Sequence, residues 1–374
     1  MTFDDLLKDL DLAAPFRLAQ PWDRVGPMTG RGSKEIRKVL ISLDASHGAL
    51  QKAIQAQCDA WVTHHPLIWD PLKSLADPND SVQTNNARLK LLLKCVEVDL
   101  AVAACHTNWD AAEGGVNDAL ASELGLSVTD RFGPGTAEER LKMVVTLPLQ
   151  SLSQVVEAAS AAGAGVIGRY SQCAFFWEGQ GTFLPMDGSS PRVGQIGRPA
   201  SVQEARVEMV LPARLKPLVD SAVRRVHPYE EPALDWLVCQ SEIVGRLGVL
   251  TGLSTPLTLA SFATHVQRRL RTATRTYGDI GTEIRRAALV GGAGSGFWKD
   301  ALGKADVLVT GEVRQNDALE AVEAGLCMIE AGHFATEQPG MGALASYLSN
   351  AGWETLLYEP KPGLDGSPFS LNVS

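Results

Sequence analysis

From Arg37 onward, short apolar runs alternate with stretches of helical spacing. Lys38 to Leu43 is an apolar run that predicts a strand, Asp44-Ala-Ser-His is a turn or cap, and Ala49 to Cys58 has the period of a helix. Asp59 to Thr63 predicts a second strand that ends at His64-His65-Pro66. A helix over Asn85 to Val96 leads into a strand over Asp99 to Cys105, which ends at His106. Strands alternating with helices imply an α/β unit built on a largely parallel sheet. Ahead of it, residues 1–30 read as a helix from Phe3 to Leu12 and an irregular Pro- and Gly-containing segment.

The rhythm changes near Arg131. After the joint Phe132-Gly-Pro-Gly135 come a strand over Lys142 to Leu147 and a helix over Leu152 to Ala162. Two aromatic strands follow, Tyr170 to Trp177 and Gly181 to Leu184. A strand over Arg206 to Val210, a helix over Leu215 to Val226 and a strand over Ala233 to Val238 complete the segment. Apart from one additional strand, this is the β-α-β-β-α-β order that points to a ferredoxin-like α+β domain. The expected fold class is therefore α/β: two related halves, residues 1–130 and 245–374, form one discontinuous domain around an insertion at 131–244.

The halves repeat each other. Asp59-Ala-Trp-Val-Thr-His-His65 aligns without gaps on Asp306-Val-Leu-Val-Thr-Gly-Glu312, and Ile41 to Ser46 matches Leu289 to Gly294 in kind. Each half also has an apolar run ending in His with an acid four residues on: His106 with Asp110, and His333 with Glu337.

Composition narrows the function. A net charge of −9 without a long basic run argues against nucleic acid as the main partner. No apolar run has the roughly 18–20 residues of a membrane span, and the acidic start Met1-Thr-Phe-Asp-Asp5 lacks a signal pattern, which reads as cytoplasmic. The six cysteines form no Cys-x-x-Cys pair, so buried reduced thiols are expected rather than a zinc ribbon or a disulfide framework.

Ligands of open α/β sheets gather beyond the carboxyl ends of the strands. His64, His65, His106, Asp110, Glu312, His333 and Glu337 all fall at such ends, and they include four of the seven histidines. A single His there is more often a cap or a core residue, but a repeated His-x-x-x-acid is harder to explain structurally. Imidazole and carboxylate together suit Zn, Mn, Fe or Ni, and two such ions about 3.5–4 Å apart would activate water for hydrolysis at neutral pH. Other features read as structural. Gly291-Gly-Ala-Gly-Ser-Gly296 lacks the Lys-Ser/Thr of a phosphate loop and has Phe297 where a dinucleotide fingerprint needs Gly, so close packing or a tight turn is the expectation. His227-Pro-Tyr-Glu-Glu-Pro232 reads as a rigid connection, and Asp44 and Ser46 as helix caps.

Thr63-His-His-Pro-Leu-Ile-Trp69, His106-Thr-Asn-Trp-Asp-Ala-Ala-Glu-Gly-Gly115, Thr310-Gly-Glu312 and Gly332-His-Phe-Ala-Thr-Glu337 resemble the Nif-three-like family, whose members are often labelled GTP cyclohydrolase I type 2 homologues. The inserted segment, with Gly163 to Tyr170, Gly181-Thr-Phe183 and His227 to Pro232, is similar to the PII-like insertion of longer bacterial members. The resemblance implies two divalent metal ions per chain on His64, His65, Asp110, His333 and Glu337, with His106 and Glu312 as proton-transfer candidates. It also implies a toroidal homohexamer and a hydrolase acting on a purine nucleotide. One position departs: many members have a His shortly after the Thr-Gly-acid block, where this chain reads Arg314-Gln-Asn316-Asp317. That departure leaves a rival expectation, a non-enzymatic metal-binding or regulatory scaffold.

Overall fold

A computed structural model describes residues 1–72, 87–168 and 170–360. The chain divides into two compact units, one made of residues 1–136 and 245–374, the other of residues 137–244.

The discontinuous unit holds two sheets. In the first, the strands Glu354–Leu357, Lys38–Ser42, Ala60–Thr63 and Ala101–Ala104 run parallel in that spatial order, and Gly26–Thr29 closes one edge antiparallel. In the second, Glu283–Val290, Val307–Thr310 and Cys327–Glu330 run parallel. Arg275–Tyr277 flanks them on one side, and Gly248–Thr258 followed by Ser127–Phe132 on the other, all antiparallel. Every residue of Ala60–Thr63, Ala101–Ala104 and Val307–Thr310 is buried, as strands covered on both faces require.

The repeat is visible atom by atom. Asp59 Oδ2 accepts from the backbone N–H groups of Arg37 and Lys38 at 2.9 and 3.2 Å. Asp306 Oδ2 accepts from those of Arg285 and Arg286, both at 2.8 Å. In each half the carboxylate thus clasps the start of the neighbouring parallel strand and sets its register. Asp306→Ala and Asp59→Ala should each lower stability by about 1–2 kcal/mol, because each leaves two backbone donors to solvent alone. Urea titrations should show lower midpoints with unchanged slope; a midpoint within error of wild type would show that the clasps carry no weight.

The helix His333–Asn350 joins the halves. It starts after the second sheet, yet its Met341, Leu344 and Leu348 are buried with Phe3, Leu6 and Leu10 of the first helix, Phe3–Ala13, and with Val39, Ile41 and Val62 of the first sheet. Helix 85–96 is found as Ala87–Glu97, and residues 85 and 86 lie outside the described residues.

The second unit runs Arg140–Pro148, Leu152–Ala161, Phe175–Phe183, Ala200–Pro212, Lys216–Val226 and Leu234–Val238 as β-α-β-β-α-β. Counting these strands in chain order, the sheet is antiparallel with the fourth beside the first, then the third and the second. Its core is Met143, Val145, Val155, Val207, Val219, Val223 and their neighbours. Two aromatic strands were expected between residues 170 and 184, but one continuous strand, Phe175–Phe183, occupies the region. Gly179 and Gly181 pair in register with Glu204 and Val202 rather than breaking it. His227 keeps its structural role, with Nε2 on the Thr146 carbonyl at 3.0 Å and Nδ1 accepting from the Tyr229 N–H. All six cysteines are free; Cys95, Cys105 and Cys327 are buried, while Cys58, Cys173 and Cys239 are half-buried, so burial is only partly as expected.

Candidate metal centre

Two strand ends and one helix start supply the convergent groups. His64 and His65 follow the strand Ala60–Thr63; Asp110 lies in the short helix Thr107–Ala111 after Ala101–Ala104. His333 opens the helix His333–Asn350 and Glu337 sits one turn later, so both face the same way. Glu337 Oε2 lies 3.2 Å from His65 Nε2 and 3.1 Å from His333 Nε2, and its Oε1 lies 3.9 Å from His64 Nε2. Asp110 Oδ1 is 3.5 Å from the same His64 nitrogen.

Each imidazole is anchored through its other nitrogen. His64 Nδ1 sits 2.8 Å from the Cys105 carbonyl, His65 Nδ1 2.7 Å from Asp44, and His333 Nδ1 2.6 Å from Glu312. Those oxygens only accept, so each Nδ1 carries the proton and each Nε2 points inward, the arrangement in which a carboxylate or carbonyl orients a metal-binding His. His64 decides what the inward nitrogens can be. Its side chain has no exposure, and burial, which outweighs the attraction of Glu337, pulls its pKa down to about 3. With Nδ1 on the Cys105 carbonyl, its Nε2 faces the Asp110 and Glu337 oxygens and makes no hydrogen bond among the described residues. His333 Nε2 and Glu337 Oε2 also make no hydrogen bond despite their proximity. So many titratable groups buried together are costly unless their charges and lone pairs are compensated, by shared protons or by a cation. The donor set fits divalent metal.

The other shifts follow from this crowding. Burial opposes protonation of His65, but Asp44 and Glu337 outweigh it and raise the pKa to about 10; for His333 burial is likewise outweighed by Glu337 and Glu312, which raise it to about 9. Glu337 is held well below the usual carboxylate range because His333 and His65 outweigh its burial. Asp110 is pushed well above it, first by burial and then by Glu337.

Two further side chains complete the picture. His106 Nδ1 lies 2.8 Å from Asp23 Oδ1, and its ring centroid is 5.0 Å from that of His64 and 5.6 Å from that of His65. The ligand atoms of His64, His65 and His106 all lie within 4.8 Å of one another, as do those of His65, His333 and Glu337. Glu312, read from the sequence as a proton-transfer candidate, is 58% exposed and spends a carboxylate oxygen on His333. Asp44 is not a helix cap: Ser46 caps the helix His47–Gln55, and Asp44 turns to His65.

A family model described as Duf34/NIF3 (NGG1p interacting factor 3) matches residues 1–359. This chain belongs to the DUF34/NIF3 family. Curated DUF34/NIF3 relatives include a Halalkalibacterium halodurans protein, 37% identical over 324 residues that cover 86% of this chain and 85% of its own length. A Bacillus subtilis protein is 37% identical over 325 residues, again 86% and 85%. Both carry the name GTP cyclohydrolase 1 type 2 homolog. A solved Bacillus cereus protein related to NIF3 superposes with a TM-score of 0.84 at 34% identity, covering 99% of each chain. Among the described residues, no helix of this DUF34/NIF3 protein is long and apolar enough to cross a membrane.

Sequence reasoning missed Asp23, which lies in the segment read as irregular. No periodicity marks it; its role comes from a contact 83 residues away in the chain. The glycine loop also does more than turn. Gly292 has φ +63°, and a Cβ there would sit 2.1 Å from Glu337 Oε1 and 3.1 Å from His333 Nε2, so the backbone packs directly on the cluster.

Proposed function

We propose that this cluster is the divalent-metal centre of a hydrolase acting on a purine nucleotide, with two ions held by His64, His65, Asp110, His333 and Glu337. The observation that carries the metal reading is the buried Nε2 of His64, without a hydrogen bond and facing the oxygens of Asp110 and Glu337. Divalent ions bound there supply Lewis acidity and activate water for hydrolysis. The protein's share is positional: the Cys105 carbonyl, Asp44 and Glu312 fix the three imidazoles, and Asp23 holds the His106 ring beside them. From that place His106 is suited to move a proton at the substrate. The purine nucleotide comes from the names of the curated relatives, and a homohexamer belongs to the same reading.

Metal analysis of protein purified without chelator should give about two ions per chain, and His333→Ala should lose at least one. Saturating Zn, Mn, Fe or Ni at about a thousand times Kd should add about 4 kcal/mol of stability, seen as a rise in Tm. No uptake of any of the four would overturn the metal reading. Full occupancy with no turnover of GTP or another purine nucleotide would overturn the hydrolase reading and leave a metal-holding scaffold. One observation favours that rival: beside Asn316, Asp317 is tied to Ser295 and to Arg314 Nε, so this strand end offers no imidazole.

A further inference from the structure

Six hydrogen bonds fix the short loop that carries Trp22. The Gln20 N–H donates to Thr107 Oγ1 at 2.9 Å, and the Asp23 N–H to the Gln20 carbonyl at 2.9 Å. Asp23 in turn accepts from the Thr107 N–H, the Thr107 hydroxyl, the Arg24 N–H and His106 Nδ1. A loop this constrained displays an indole that is 59% exposed, whereas Trp61, Trp109, Trp298 and Trp353 in the same unit are buried. A lone exposed apolar residue needs no explanation, but this one has a specific neighbourhood. The Trp22 ring centroid lies 6.2 Å from that of His106 at 74°, and Trp69, half-buried, lies 5.1 Å from His106 at 87°. Both indoles therefore stand steeply over an imidazole that touches the cluster. The Arg88 guanidinium lies 6.0 Å from the Trp69 ring, and Arg24 is bonded to the Trp22 carbonyl.

We infer that Trp22 and Trp69 form the binding surface for a planar heteroaromatic ring and deliver it over His106 to the metal centre. Stacking on a rigid indole costs little ordering entropy and accepts any π-face. The flanking guanidiniums suit a ring attached to anionic groups. The inference deepens the proposed nucleotide reading and rests on it for the identity of the ring, yet it involves no ligand of the metal.

The probe is guanosine, with ribose 5-phosphate as the ring-less control, each titrated calorimetrically into full-length protein in metal-loaded and metal-stripped forms. Guanosine should bind wild type, and at least about tenfold more weakly to Trp22→Ala and to Trp69→Ala. Trp22→Phe should keep most of the affinity, and metal content should stay at the wild-type level in all three. Absence of guanosine binding to wild type overturns the inference, as does equal affinity in both alanine variants or a matching loss for ribose 5-phosphate. Guanosine binding that survives in a protein unable to take up metal would uphold the ring site while the metal reading fails, so the two failures are distinguishable.

Discussion

Glu337→Gln should lower the affinity for added divalent metal by more than about 100-fold, if the cluster is the metal centre proposed above. Its side chain approaches all three anchored imidazoles, at 3.9, 3.2 and 3.1 Å. Glutamine keeps the volume but removes the charge and offers one oxygen in place of two, so a bound cation would lose charge and a ligand oxygen. Removal of one supporting contact alone typically costs 10–100-fold in metal affinity, and loss of a directly coordinating carboxylate should exceed that. Competition against a chromophoric chelator measures it, with circular dichroism to show that the fold persists. Wild-type affinity in the glutamine variant would remove Glu337 from the centre and with it the present reading of the cluster.

Gly292→Ala should be nearly as damaging by a different route. The positive φ costs an alanine about 1–2 kcal/mol. In addition its methyl carbon would lie 2.1 Å from Glu337 Oε1 and 3.1 Å from His333 Nε2, so at least one of them must move. Destabilisation of about 3 kcal/mol or more, together with loss of metal, is the expected outcome. Gly303→Ala is the control: it has the same kind of backbone, φ +74°, but nothing within 4 Å of its Cβ. It should show the conformational cost alone and keep its metal. Equal metal content in the two variants would show that the glycine loop does not shape the centre.

Much of this was legible because the information is local and duplicated. Apolar runs stop at His64, His106 and His333, Asp110 and Glu337 each follow a histidine by four residues, and the matched Asp59 and Asp306 betray the repeat before their clasps are seen. Spacing does not reveal contacts between segments distant in the chain. Asp44 reads as a cap because caps are what acids before helices usually are, and only the folded chain shows its partner to be His65. Asp23 and Gly292 are silent for the same reason. The second sheet's antiparallel flank, Gly248–Thr258 with Ser127–Phe132, escaped notice because its strands alternate only weakly between buried and exposed positions.

The strand Glu354–Leu357 pairs with Lys38–Ser42, and the helix before it, which bears His333 and Glu337, packs on the opening residues of the chain. On the ribosome this has a cost in time. His64, His65 and Asp110 emerge more than two hundred residues ahead of Glu337, about 10–55 s of synthesis at about 5–20 residues per second. Throughout that interval the first sheet lacks an edge strand and the histidines lack the carboxylate that gathers them. A chain cut short before residue 333 would therefore carry only His64, His65 and Asp110 of the five groups proposed to hold metal, on a sheet without its edge strand.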